Sequence, residues 1–137
     1  MPKRSKIVSL SKLKKKLDVV FNAYIRQRDY FWGAGFVCIS CGQHKPKEQM
    51  HAGHFYAGTF TATRWDERNV NGQCAGCNTF KHGNLLEYRN GMIRKYGQGV
   101  VDELERLHNQ PFKLDGKWLE EKIKHYQNLI KWKQYKK

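Results

Sequence analysis

Apolar residues recur every three or four positions at both ends of the chain, and in its middle third they do not. Leu10, Leu13, Leu17, Val20, Phe21, Tyr24 and Ile25 predict a helix over residues 10–30, with Ser9 or Ser11 as N-cap. The basic stretch before it, residues 1–9, is expected to fray. Gly33 and Gly35 end the helical region. Phe36 to Gln43 reads as a short strand and a tight turn, with Gly42 suited to the turn. Pro46 marks a loop, and Glu48 to Phe55 reads as a strand with His54 at its end. Residues 56–68 lack a clean period and read as a wide loop. Asn69 to Gln73 is the expected return strand. A helix is expected from Cys77, weak at Gly83, where it kinks or restarts with Asn84 as a cap. Leu85, Leu86, Tyr88, Met92 and Ile93 carry the helical pattern to Tyr96, and Gly97 stops it. Val100, Val101, Leu104 and Leu107 mark another short helix. Asn109, Gln110 and Pro111 form a linker. Trp118, Leu119, Ile123, Tyr126, Leu129 and Ile130 then give an apolar side to a last helix, which opens at Asp115 or Gly116.

This pattern predicts an α+β fold in a single domain, 1–137. Residues 1–33 form a basic N-terminal helical segment, 34–96 a core, and 97–137 the C-terminal helices. Charge sharpens the picture. The formal net charge is +14 and the sequence pI is about 9.8. A surplus of that size favours a polyanionic partner, of which nucleic acid is the commonest. Lys12, Lys14, Lys15, Lys16, Arg26 and Arg28 read either as a solvated face or as one that tracks phosphates. The end of the chain, Lys131 to Lys137, interleaves bases with aromatics. No apolar run approaches the ~20 residues of a membrane span. The charged start is not followed by the apolar segment of a signal peptide, so a cytoplasmic location is expected.

The strongest chemical signal is a pair of CxxC turns, Cys38 with Cys41 and Cys74 with Cys77. Two such turns present four thiolates to one ion, which predicts one structural Zn2+ closed on all four sides. A closed site has no position for a substrate. Chemistry must come from polar residues held beside it, and the candidates are His51, His54, Asn69 and Asn78.

A strand ending in His, a loop, a strand starting at Asn and then a helix is the order of a ββα-metal nuclease. Phosphodiester hydrolysis needs a base to activate water and a cation to stabilise charge on the phosphate and the departing oxygen. A neutral imidazole suits the first task near pH 7. A hard ion such as Mg2+ or Mn2+, held by few protein groups, suits the second.

At these residues the chain resembles the phage NinG/Rap recombination endonucleases, which belong to the HNH, or His-Me finger, nucleases. The motifs are the first CxxC, Ala52-Gly53-His54-Phe55, Asp66 to Val70, Gln73 to Asn78 and Gly83 to Arg89. Together the resemblance spans roughly residues 10–110. The chain is also similar to junction resolvases of the endonuclease VII type, in which an Asn likewise follows the last zinc Cys. The resemblance implies a zinc-knuckle ββα-metal core and a Mg2+- or Mn2+-dependent nuclease acting on branched DNA, such as Holliday junctions and D-loops, in a phage-infected bacterial cell. It implies His54 as general base, Asn69 as the residue that holds the loop, and Asn78 as metal ligand. Gly53 departs from the pattern, because many HNH proteins carry Asp there and use it on the metal. A second ligand must then come from His51, from His82 four residues after Asn78 on the same helix face, or from Asp66 or Glu67. Arg64, Arg68 and Lys81 are expected to contact phosphates. Trp65 reads as core rather than as a stacking platform. The rival readings are a non-catalytic zinc-containing DNA-binding module, favoured by Gly53, and a thiol-disulfide oxidoreductase, which would need a reactive thiolate pair.

Overall fold

The computed structural model describes residues 9–135, and the side chains only as far as Lys131. Most of the basic start, and the basic-aromatic end beyond Lys131, therefore lie outside the described side chains. The chain divides into two compact units. Residues up to Tyr24 and from Lys113 onward form one, and Ile25–Phe112 form the other.

The first unit is a pair of helices, most of α1 (Leu10–Asp29) with α5 (Gly116–Tyr135). Ser9 starts α1. Its Oγ accepts the Lys12 N–H at 3.2 Å and its carbonyl accepts the Leu13 N–H at 3.1 Å, which satisfies groups a helix start leaves unpaired. Asp115 does the same for α5, with Oδ1 on the Lys117 N–H at 3.0 Å. Much of the predicted stripes is buried, Leu13, Leu17, Val20 and Phe21 on α1 and Leu119, Ile123 and Tyr126 on α5, whereas Leu10 is 44% exposed. Phe21 and Tyr126 meet edge to face at 5.1 Å, a favoured aromatic geometry. Leu10 and Leu13 lie beside Gly116, while Phe21 and Tyr24 lie beside Tyr126. The contacts advance in the same direction along both helices, so the pair runs parallel.

The second unit holds two antiparallel hairpins and three helices. β1 (Phe36–Val37) pairs with β2 (His44–Lys45) around the first CxxC turn. Gly42, at φ +71°, closes that turn by donating its N–H to the Cys38 carbonyl at 2.9 Å. β3 (Met50–His54) pairs with β4 (Val70–Cys74) in a register running from Met50 opposite Cys74 to His54 opposite Val70. The loop between them is not wholly irregular. One helical turn, α2 (Thr61–Arg64), sits within it, too short to leave a periodic trace in the sequence.

After β4 the chain makes a π-helical turn, Gly76–Phe80. His82 (φ 50°), Gly83 (φ 90°) and Asn84 (φ 43°) then stop helical winding with three successive left-handed residues. α3 (Leu85–Tyr96) restarts after Asn84, but the Asn84 side chain does not cap it. Its Nδ2–H is directed to the Cys77 sulfur at 3.5 Å instead. Gly97 (φ 93°) turns the chain into α4 (Gln98–His108). α3 lies directly on the first cysteine turn: a Cβ on Gly91 would fall 1.8 Å from the Ile39 carbonyl oxygen. Ile39, Tyr88, Met92, Val101 and Leu104 pack as one core cluster there. Phe36 and Met50 pack with Cys38, Cys74 and Cys77 in another. Among the described residues no helix is long and apolar enough to cross a membrane.

Candidate functional site

The first hairpin delivers Cys38 and Cys41, and the end of β4 with the π-helical turn delivers Cys74 and Cys77. Their four sulfurs lie within 4.8 Å of one another. A tetrahedral Zn2+ with Zn–S bonds of ~2.3 Å sets its sulfurs about 3.8 Å apart, and Cys41 and Cys74 stand at 3.9 Å. The cluster thus fits a structural zinc site. Two N–H groups point at its sulfurs, the Cys74 amide at Cys38 (3.3 Å) and the Asn84 amide at Cys77 (3.5 Å). Such donors steady the negative charge that zinc-bound thiolates carry. Burial pushes the Cys74 and Cys77 thiols up, the opposite direction from the depressed pKa of a reactive oxidoreductase thiol.

On the neighbouring hairpin, alternation puts His51, Gly53, Asn71 and Gln73 on one face. Gln73 is fully buried, and its Nε2 donates to the Ser40 hydroxyl (2.8 Å) and the Gly83 carbonyl (2.6 Å). It therefore ties the first cysteine turn to the segment that follows the second. Its Oε1 is turned toward Gly53, where a Cβ would lie 2.0 Å away. Gln73 occupies the space into which a side chain at position 53 would grow.

His54 ends β3. Its Nε2 lies 2.9 Å from the Arg64 carbonyl. A carbonyl only accepts, so Nε2 carries the proton, and in the neutral ring the lone pair sits on Nδ1. That carbonyl belongs to α2, inside the loop that Asn69 organises. The fully buried Asn69 accepts the Tyr56 N–H on Oδ1 at 2.9 Å. Its Nδ2 donates to the Tyr56 and Thr63 carbonyls at 3.0 and 3.1 Å. One amide thus joins the loop's first residues, its helical turn and β4.

His51 and Asn78 are brought together. Asn78 Nδ2 lies 2.8 Å from His51 Nδ1. The other proposed ligands are placed differently. His82 does not share a helix face with Asn78, because the π-helical turn ends at Phe80 and His82 is exposed on the left-handed stretch after it. Asp66 is held by Arg68, whose Nε and Nη2 bond its two carboxylate oxygens at 3.0 and 2.7 Å. Glu67 is half-buried and contributes its backbone carbonyl to Arg28.

Of the expected phosphate contacts, Lys81 is exposed. Arg68 is half-buried and paired to Asp66. Arg64 packs its guanidinium over the Trp65 ring at 5.0 Å, and Trp65 is core, as its size suggests. Arg28 is neither solvated nor turned outward. It binds Asp29 through two nitrogens (2.8 and 2.9 Å) and reaches the Glu67 and Val70 carbonyls and Asn71 Oδ1. Asp29 also accepts the Gly72 N–H (2.8 Å) and Lys95 (3.2 Å), while Lys95 and Tyr96 both donate to Asn71 Oδ1 at 2.8 Å. Burial alone would raise the Asp29 pKa; Arg28, Lys95 and the Gly72 amide outweigh it and hold the carboxyl below the usual range. Asn71 Nδ2 continues the network to Tyr88 Oη at 3.2 Å, and the Tyr88 hydroxyl donates to the Gly53 carbonyl at 2.6 Å. The sequence carried one sign of this network: polar residues at alternate positions 71 and 73 of β4, with Asn69 two residues earlier, where apolar ones were due.

The family model described as "Bacteriophage Lambda NinG protein" matches residues 2–136. The chain is 44% identical over 98 residues to "Protein ninG" of Escherichia phage 933W, covering 70% of this chain and 46% of that protein. It is 43% identical over 98 residues to that of Escherichia phage lambda and 42% to that of Salmonella phage P22, covering 70% of this chain and 45% of each. The chain thus spans about half the length of the curated relatives it matches. No solved structure matches it.

Proposed function

The chain belongs to the NinG family of bacteriophage proteins, and from the placement of its polar residues we propose that it is a divalent-metal-dependent endonuclease of branched DNA. The observation that carries this reading is the His54 ring, whose Nε2–H is fixed on the Arg64 carbonyl so that Nδ1 is its basic nitrogen. Water at Nδ1 gives up its proton there as its oxygen attacks phosphorus. Asn69 keeps the ring oriented by holding the loop that carries Arg64. In this reading β3, β4 and the helical segment after them are the ββα unit of an HNH nuclease.

His51 and Asn78 are the residues that would hold Mg2+ or Mn2+. The Asn78 Nδ2–H rests on His51 Nδ1 at 2.8 Å; with that amide turned to present Oδ1, the pair would offer one oxygen and one nitrogen to an ion that takes its remaining ligands from water and phosphate. When bound, the ion neutralises charge on the phosphate and the departing 3′ oxygen. The high positive charge supports DNA as the partner and a steep loss of affinity with salt.

His54→Ala should lower junction cleavage by about 10²–10⁴-fold, the usual contribution of a general base. Zinc content, melting temperature and DNA affinity should stay near those of the unaltered protein. Cleavage at the unaltered rate would remove His54 as the base. Asn78→Ala should instead raise the metal concentration needed for half-maximal rate, and a titration of both variants separates the two roles. The rival, a DNA-binding module without catalysis, predicts no cleavage at any metal concentration.

A further inference from the structure

Beside the Arg28 and Asp29 network lies a cavity of about 840 Å3 within the second unit. Its size is in the range of pockets that enclose small organic ligands, ~300–1,000 Å3, and is ample for one nucleotide. Arg68, Arg94 and Lys95 line it together with Arg28, against the carboxylates of Asp29 and Glu67. Arg68 and Arg28 are committed to neighbours, but Arg94 is exposed on α3 and no ion pair to it occurs among the described residues. Lys95 is crowded. Burial, and after it the Arg28 charge, act against its protonated form, with Asp29 in opposition. An anion entering the cavity would relieve that crowding.

The wall is apolar. Phe31 and Val37 line the cavity and are 58% and 49% exposed, large values for such side chains. Phe31 stands on a tight turn, with its N–H on the Gly35 carbonyl at 2.7 Å, so its ring is presented on rigid backbone. A cavity with cations on one side and an exposed ring on another suits a base and its phosphate. It does not suit a stacked base pair, which offers no free base face.

We propose that this cavity receives one unpaired nucleotide of a DNA strand, its base against Phe31 and its phosphate against Arg94. The proposal rests on DNA as the partner, and it deepens that reading by giving the protein a way to tell branched from linear DNA. Branch points expose unstacked bases, and linear duplex does not.

The test uses the zinc-loaded 137-residue chain carrying His54→Ala, without added divalent metal, so that no cleavage intervenes. The probes are a duplex with one extrahelical 2-aminopurine, the same duplex fully paired, and the same bulge made abasic. At fixed salt the 2-aminopurine bulge should bind about tenfold tighter than paired duplex, in line with the ~1–3 kcal/mol of base–aromatic stacking, and its fluorescence should fall on binding. Adding Phe31→Ala or Arg94→Gln should erase most of that preference, while affinity for paired duplex changes by less than about twofold. Both substitutions lie on the surface, and zinc content and melting temperature verify the fold. Equal affinity for bulged and paired duplex would overturn the proposal. So would a preference that survives both substitutions, or an abasic bulge bound as tightly as the base-bearing one. Junction cleavage by the unaltered protein is scored separately. Loss of the pocket leaves the nuclease standing, and absence of cleavage leaves the pocket standing.

Discussion

Between α1 and α5 the buried side chains include Leu13, Leu17, Phe21, Leu119, Ile123 and Tyr126; behind β3 and β4 they include Asn69, Asn71 and Gln73, all at 0% exposure. The first interior is held by area. Each fully buried aliphatic or aromatic side chain contributes about 1.5–3 kcal/mol with little demand on direction. The second interior is held by partners. Its amides are stable only because nearly every donor and acceptor is matched, and an unmatched one costs about 1–3 kcal/mol. An area-held interior tolerates exchange of one apolar residue for another, whereas a partner-held one tolerates almost none. The same rigidity lets the second unit hold His54 in one tautomer.

The largest test of this contrast is zinc. Chelation, or Cys77→Ser, should unfold the second unit, because zinc binding in structural sites is worth about 10–16 kcal/mol at neutral pH and is folding free energy. Near-ultraviolet circular dichroism and calorimetry follow it. An unchanged melt after verified zinc removal would end the structural reading of the cluster.

Next is Gly53→Asp, which introduces the carboxylate that many HNH proteins carry before their histidine. It should destabilise by about 3 kcal/mol through overpacking, since its Cβ would meet Gln73 Oε1 at 2.0 Å. Combining it with Gln73→Ala should return part of that loss. A double-mutant cycle in urea should give a coupling of about 1–3 kcal/mol. Additive losses would mean that Gln73 is not the obstacle.

A matched pair of conservative changes sharpens the comparison further. Tyr88→Phe removes one hydroxyl, and with it the donor to Gly53 and the acceptor for Asn71. It should cost about 1–3 kcal/mol. Leu17→Met, in the helix pair, should cost less than about 1.5 kcal/mol. Equal losses would erase the distinction between the two interiors.

The smallest effect concerns acid. The folded-state pKa of Asp29 is depressed, so its contribution is complete above the unfolded-state value of about 3.9 and is lost as pH falls through the lower folded value. Denaturant melts should therefore steepen in their pH dependence below about pH 4. Asp29→Asn should flatten that limb while lowering stability at neutral pH.

The helices were legible because Leu13, Leu17, Val20 and Phe21 repeat at the helical period, and the cysteine cluster because its spacing serves little else. The position of His54 at the end of β3 and of Asn69 just before β4 was legible from their order along the chain. What stayed hidden were consequences of packing. The alternation at Asn71 and Gln73 marks them, but it does not name their partners, because Lys95, Tyr96, Ser40 and Gly83 are distant in sequence. Arg28 looked like one more base on a basic helix until Asp29 and the Val70 carbonyl were seen to claim it. The helical pairing of His82 with Asn78 failed because a π-helical turn and three left-handed residues leave no trace in hydrophobic periodicity.

Gln73 filling the space above Gly53 leaves the His51 end of that hairpin face without a carboxylate: His51, Gly53, Gln73 and Asn78 carry none. On the proposed reading, a dication resting on an imidazole and an amide keeps nearly all its charge. Alone, it is held loosely; beside a phosphate, it gains the negative partner that the protein withholds. Binding equilibria are reciprocal, so whatever factor DNA adds to metal affinity, metal adds to DNA affinity. A carboxylate at position 53 would have kept the ion in place at all times. On the proposed reading its absence would make arrival of the ion contingent on the substrate, so that the protein would be armed only where there is a strand to cut.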